Sequence, residues 1–185
     1  MIVGILLAAG SSRRFGAANK LLHPLAGRAL VSHAADAIRA VRLDKKIAIV
    51  STADVAKHLR DFDCVDVSAH ELSMATSLKA GITRAIELDA TKALIHLGDM
   101  PAVESQLLQE IIENCAEDTP SMTRSGRVKL PPACFPAKLF GQIMQIDGDK
   151  GARQLLASIA KTRSVIVPNS MIADIDKPSD INGLQ

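Results

Sequence analysis

The sequence predicts an α/β fold of three layers, α/β/α, built around a mostly parallel twisted sheet that carries one antiparallel element. Three observations predict it. Short, uninterrupted apolar runs such as Ile2–Ala8 (IVGILLA) and Ala93–Leu97 (ALIHL) end in turn residues, as strands buried on both faces do. Amphipathic stretches of about ten to fifteen residues alternate with these runs, the pattern of βαβ units. Beyond about Pro120 the alternation loosens, and Ser125-Gly126-Arg127 reads as a hairpin tip, which places the antiparallel element there.

In chain order, the strand Ile2–Ala8 is followed by a helix over Leu30–Val41. That helix sets Ala, Ile and Val on one side and Asp36, Arg39 and Arg42 on the other. Lys46–Ser51 (KIAIVS) reads as a second strand, Asp54–Asp61 as a short helix and Asp63–Ser68 as a weaker strand. Thr76–Leu88 is the next helix. The strand Ala93–Leu97 stops at Gly98-Asp99-Met100-Pro101, and Glu104–Cys115 is again amphipathic. After the hairpin tip, Pro131-Pro132 forbids regular ladder pairing. Short helices are expected at about Ala137–Gln145 and Gly151–Ala160, then a strand at Ser164–Val167. Pro178 is placed to start a terminal helix. No repeat, low-complexity tract or linker interrupts the chain, so a single domain over residues 1–185 is expected.

Composition excludes several function classes. No window approaches the ~18 uninterrupted apolar residues of a membrane span, and the first apolar run has no basic segment before it and no cleavage site after it. The four aromatic residues are all Phe, which leaves no set of rings for base stacking and argues against nucleic acid as a partner. Cys64, Cys115 and Cys134 contain no C-x-x-C pair and suit a reducing compartment, so the cytoplasm is the expected location.

Charge is unevenly distributed. The first 46 residues hold eight cations (Arg13, Arg14, Lys20, Arg28, Arg39, Arg42, Lys45, Lys46) against Asp36 and Asp44, although the whole chain is only +2. The remainder is therefore net acidic. Such a division suits an anion site near the N-terminus, completed by carboxylates from later in the chain.

The segment that best fits an anion site is Leu7-Ala8-Ala9-Gly10-Ser11-Ser12-Arg13-Arg14-Phe15-Gly16, with Lys20 after it. Small residues at the exit of a buried strand let the backbone fold tightly and turn its N–H groups toward phosphate oxygens. Arg14 and Lys20 add full positive charges around the same bend. The spacing is neither G-x-G-x-x-G nor G-x-x-x-x-G-K-[ST], so dinucleotide-binding and Walker-type readings fail. Asp99 ends a buried strand at its carboxyl edge, where ligands bind in open α/β sheets. A carboxylate there suits Mg²⁺, which takes one or two carboxylates together with phosphates and water.

Three further segments have two readings each. Asp174 and Asp176 lie two apart and point the same way on an extended strand; one of them completes a cation site, or Asp176 and Ser179 cap the last helix. Gly148-Asp149-Lys150-Gly151-Ala152-Arg153 sets a helix N-terminus beside two cations, which attracts anions, or forms a turn with Asp149 as N-cap. Thr76 or Ser77 caps its helix or, by the family resemblance described below, lies near a bound nucleotide. His96, inside an apolar strand, reads as a satisfied core histidine, and Cys134 as packing.

The motif L-A-A-G-x-S-x-R-F-G…K-L-L resembles the signature loop of the MobA-like nucleotidyltransferases, and within them the MocA-type molybdenum cofactor cytidylyltransferases. The likeness continues through Leu97-Gly98-Asp99-Met100-Pro101, Gly148–Arg153 and Asp174-Ile175-Asp176-Lys177-Pro178-Ser179-Asp180-Ile181, in the family's order and over nearly the whole chain. The resemblance implies a Rossmann-like fold and transfer of CMP from CTP to the phosphate of molybdopterin, with release of pyrophosphate. Ala8-Ala9-Gly10 resembles the cytidylyl-transferring branch; the guanylyl-transferring branch usually carries Gly-Gly after Ala. By the same resemblance, Leu7 to Ser12, Arg14, Lys20, Ser77 and Asp99 contact the nucleotide. Arg14, Lys20 and Asp99 are catalytic, Asp99 and Asp176 hold Mg²⁺, Asp149 and Arg153 meet the acceptor, and a molybdenum hydroxylase receives the product.

The chain departs from the pattern in three places. The step from Arg14 to Lys20 is one residue longer than usual, Ser73 stands where Gly is common, and Lys177 where Thr is common. Alternatives at this stage are GTP as donor, a sugar phosphate as acceptor, and a nucleotide-binding delivery module without turnover.

Overall fold

The computed structural model describes residues 1–10, 15, 19–146, 159, 161–175 and 180. Strand β1 (Ile2–Ala8) is buried from its second residue onward and lies in the interior of the sheet. It pairs in parallel with β4 (Lys45–Val50) on one side and β6 (Lys92–Leu97) on the other. Beyond β4 lies β5 (Asp63–Asp66). Beyond β6 come β8 (Val128–Pro136), β7 (Ser121–Ser125) and β9 (Arg163–Ile166), giving a seven-stranded sheet of order β5-β4-β1-β6-β8-β7-β9. Within this sheet, among the described residues, only β8 runs antiparallel to its neighbours, which is the one antiparallel element the sequence predicts.

The two faces follow from the pleat, because successive side chains of a strand point to opposite sides. A side chain at Gly4 would meet Ile38 of α1 (Leu30–Arg39), whereas the next residue, Ile5, faces Gly81 of α3 (Met74–Glu87). Helices α1 and α4 (Ser105–Asn114) contact each other and cover one face; α3 and the short α5 (Phe140–Ile143) cover the other. Gly81 is small for a reason. A Cβ there would lie 2.6 Å from Ile5 Cγ2, so only glycine lets α3 settle this close to the sheet.

The chain runs outward from β1 through β4 to β5, then returns to the other side of β1 as β6. The connections therefore diverge between β1 and β6 and open a crevice at the carboxyl ends of these two strands, the usual ligand position in such sheets. Ala8 to Gly10 leave β1 at that crevice, and Gly98-Asp99 leave β6 beside them. The Gly98 N–H donates to the Leu7 carbonyl at 2.9 Å, and a Cβ on Gly98 would sit 3.2 Å from that oxygen.

Several expectations are corrected. Helix α2 spans Ala53–Ala56 only, capped by Thr52; the rest of the expected stretch closes in tight turns that bury Leu59 and Phe62. Helix α3 starts at Met74, with Ser73 as its N-cap through an Oγ that accepts from the Thr76 N–H at 3.0 Å. Neither Thr76 nor Ser77 caps it. At Pro131-Pro132 the ladder is interrupted as expected, Met122 pairing with Ala133 and the next residue, Thr123, with Leu130, although β8 resumes on the far side. The two prolines, joined by a cis peptide, are left out of the pairing, and the Thr123 hydroxyl meets the Leu130 and Pro131 carbonyls at 2.7 and 3.0 Å.

A small hairpin, β2 (Pro24–Leu25) and β3 (Arg28–Ala29), has no counterpart in the sequence reading. Its tip, Ala26-Gly27, takes two positive φ angles, 47° and 76°, the turn that matches strand twist. Apart from Ile159, which is not helical, and Asp180, which is, the helices expected at Gly151–Ala160 and from Pro178 fall outside the described residues. Among the described residues no helix is long and apolar enough to cross a membrane.

Candidate active site

The crevice is furnished from three distant parts of the chain. Lys20 opens a 3-10 turn (Lys20–Leu22) that Asn19 caps, its side chain accepting from the Leu21 N–H at 3.0 Å. Leu21 is buried and packs over Gly98, so the lysine's backbone is held directly above the end of β6. From there Lys20 Nζ donates to Asp99 Oδ2 at 2.6 Å, with side-chain exposures of 12% and 18%. Such a pair is largely removed from solvent screening. Burial pushes the Asp99 carboxyl above the ordinary carboxylate range; Lys20 opposes the shift and the nearby Asp174 carboxylate adds to it.

Asp174 is brought near Asp99 by its neighbour. The Ile175 N–H donates to the Asp99 carbonyl at 2.9 Å, and the Ile175 side chain is buried with Phe15, Leu25 and Leu30 in a cluster of its own. Phe15 belongs to the cationic loop and stacks edge-on against His23, with ring centroids 5.2 Å apart. One apolar cluster thus fastens the N-terminal loop, the small hairpin and the acidic C-terminal segment to one another around the crevice. The sequence reading singled out the aspartates flanking Ile175 and missed Ile175 itself. The available signal was a lone branched apolar residue between two carboxylates.

On the β1 side, Leu7, Ala8 and Ala9 are buried, and none of the described residues lies within 4 Å of where a Gly10 side chain would begin. Ser77 is buried and its hydroxyl donates to the Ser73 carbonyl at 3.1 Å, which commits its proton to the helix. Ser11, Ser12, Arg14, Asp149, Arg153 and Asp176, all candidate site residues, lie outside the described residues.

Among the described residues, no three His, Cys, Asp or Glu side chains gather as an all-protein metal cage. Asp99 and Asp174 instead offer carboxylate oxygens alone. That donor set fits a small hard cation completed by phosphates and water, and does not fit a softer metal that requires thiolate or imidazole.

His96 departs from expectation. It is wholly buried on β6, yet neither ring nitrogen has a partner among the described residues. Burial lowers its pKa to about 3 and keeps it neutral. Cys134 is packing, as read: fully buried, its thiol pushed up by the neighbouring Cys115 and by burial.

A buried lysine–aspartate pair lies where the sheet reverses, the place at which open α/β sheets bind ligands, and comparison with known proteins decides the family. The MobA-like NTP transferase domain model matches residues 4–164. The chain belongs to the MobA-like NTP transferase family. One MobA-like relative, the "probable molybdenum cofactor guanylyltransferase" of Thermococcus kodakarensis, is 31% identical over 177 residues, covering 95% of this chain and 79% of that protein. The "purine catabolism protein PucB" of Bacillus subtilis is 26% identical over 196 residues, covering 97% of this chain and 93% of PucB. The solved structure of Rv0371c from Mycobacterium tuberculosis superposes with a TM-score of 0.84 at 28% identity, covering 99% of this chain and 96% of that one. Rv0371c has also been solved in complex with manganese, with a TM-score of 0.80 at 27% identity, covering 99% of this chain and 97% of that one. This MobA-like chain therefore has the α/β nucleotidyltransferase fold at nearly full length.

Proposed function

We propose that the protein transfers CMP from CTP to the phosphate of molybdopterin, releasing pyrophosphate, with Mg²⁺ as cofactor. The observation that carries this reading is the Lys20–Asp99 pair, in which residues 79 positions apart meet at 2.6 Å where the sheet reverses. Manganese in the Rv0371c complex supports a divalent cation at such a site. The Ala8-Ala9-Gly10 sequence supports CTP. The three cysteines are free thiols, which fits the cytoplasm.

The chemistry needs no strong base. A phosphomonoester acceptor has its second pKa at about 6 and is largely dianionic at neutral pH, so its oxygen attacks the α-phosphorus without first losing a proton to the enzyme. What the protein supplies is orientation of two polyanions and neutralisation of developing charge. Backbone N–H groups from Gly10 to Ser12 hold the β- and γ-phosphates, and Arg14 stabilises the departing pyrophosphate. Lys20 meets the charge that develops on the α-phosphoryl oxygens. Asp99 and one of Asp174 and Asp176 hold Mg²⁺, which when bound acts as a Lewis acid on phosphoryl oxygens. Asp149 and Arg153 orient the acceptor, and a molybdenum hydroxylase receives the product.

A second reading, GTP in place of CTP, is favoured by the name of the Thermococcus relative. Incubation of the purified protein with each NTP, Mg²⁺ and molybdopterin separates the two. The expected result is pyrophosphate and a cytosine dinucleotide with CTP. Selective turnover of GTP reassigns the base, and turnover only with a sugar phosphate reassigns the acceptor.

A further inference from the structure

We infer that Lys20 is a placeholder for the divalent cation at Asp99: ammonium and cation exclude each other on this carboxylate, and arrival of the cation releases Lys20 toward the nucleotide. The inference rests on the reading of Asp99 as a cation ligand. Lys20 Nζ already occupies Asp99 Oδ2 at 2.6 Å, and both side chains are mostly buried, so little solvent separates whatever charges share this place. A divalent ion on the same carboxylate would lie a few ångströms from the ammonium, where like charges repel strongly at low effective dielectric.

The local build lets the lysine's head move while its root stays. Asn19 caps the turn and Leu21 is buried over Gly98, which fixes the backbone. The flexible four-carbon stem of lysine carries a rotatable ammonium that can change partners. The Asp174 carboxylate, which already acts on Asp99, stays behind to favour the cation once Lys20 has left. Incoming phosphates in turn supply the released ammonium with a new partner. Cation and nucleotide therefore bind with positive coupling, and each strengthens the other by the same factor. The cation alone is held weakly because it must first break an ion pair.

Calorimetric titration of the protein with Mn²⁺ in the absence of nucleotide tests this. Lys20→Met is expected to bind Mn²⁺ about tenfold more tightly than wild type, within the usual span of coupling effects. Lys20→Arg, still cationic, is expected to keep the weak wild-type affinity and guards against a folding defect in the neutral variant. Asp99→Asn is expected to abolish binding. Equal or weaker Mn²⁺ affinity in Lys20→Met, with binding still lost in Asp99→Asn, overturns the placeholder role and leaves Asp99 as the ligand. Undiminished binding in Asp99→Asn overturns the parent reading of Asp99, and with it this one.

Discussion

The backbone N–H of Ile175 donates to the carbonyl of Asp99 at 2.9 Å. That single bond ties the C-terminal acidic segment to the strand tip holding the central carboxylate. The Ile175 side chain secures the same segment to Phe15 of the cationic loop. Charge on this site is thus held in place by an apolar anchor.

Ile175→Ala removes most of that anchor. Truncating a buried isoleucine to alanine costs about 2–5 kcal/mol. Because Ile175 belongs to a small satellite cluster, the loss is expected as local opening with the main sheet intact. Hydrogen exchange at the residue 175 amide is expected to speed up by at least tenfold while β1 and β6 amides keep their protection. Unchanged exchange at residue 175 would show that the segment is held by something else.

Gly98→Ala acts on the other side of Asp99. The new methyl would lie 3.2 Å from the Leu7 carbonyl and 3.4 Å from Ala8 Cβ, and backbone at a strand end has little room to yield. Overpacking of this kind costs about 1–3 kcal/mol. Denaturant unfolding is expected to show that loss, and turnover to fall below wild type, because the shift separates the ends of β1 and β6. A variant as stable and as active as wild type would contradict the close approach.

His96 gives the protein an acid sensitivity of its own. Its pKa is about 3 in the folded chain against 6.5 ordinarily, so as pH falls the unfolded chain takes up the proton first. Stability from this group is therefore whole above pH 6.5 and drains as pH drops toward 3, by up to about 1.4 kcal/mol per unit. His96→Leu, of similar volume and with no orphaned nitrogen, is expected to flatten that loss. Urea midpoints for both proteins at pH 7.5 and 5 check it; parallel declines would exclude His96 as the cause.

The elements that dominate the sheet were legible because physics writes them locally. The runs forming β1 and β6 are apolar without interruption, and only a doubly covered strand tolerates that. Less legible was anything decided at a distance. No spacing rule links Lys20 to Asp99 across 79 positions; the parallel pairing of β1 with β6 brings their exits together. Pro131-Pro132 breaks the ladder as its chemistry demands, but β7 holds the strand on both sides of the gap and β6 holds it beyond the prolines. The Pro24–Ala29 hairpin has strands of two residues, too short for any periodicity, and only Gly27 at its tip hinted at a turn. At Ile175 attention to charge concealed packing, since a residue between two aspartates draws the eye to its neighbours.

Lys20 and Asp99 assemble the charge on which the proposed phosphoryl chemistry depends. Its most direct test is the rate of pyrophosphate release from CTP with Mg²⁺ and molybdopterin, measured for wild type, Lys20→Ala and Asp99→Ala at matched folded fractions. Removing one such electrostatic contact typically costs about two to three decades in rate, and each variant is expected to lose that much. Turnover near the wild-type rate in either variant would contradict the role assigned to that residue.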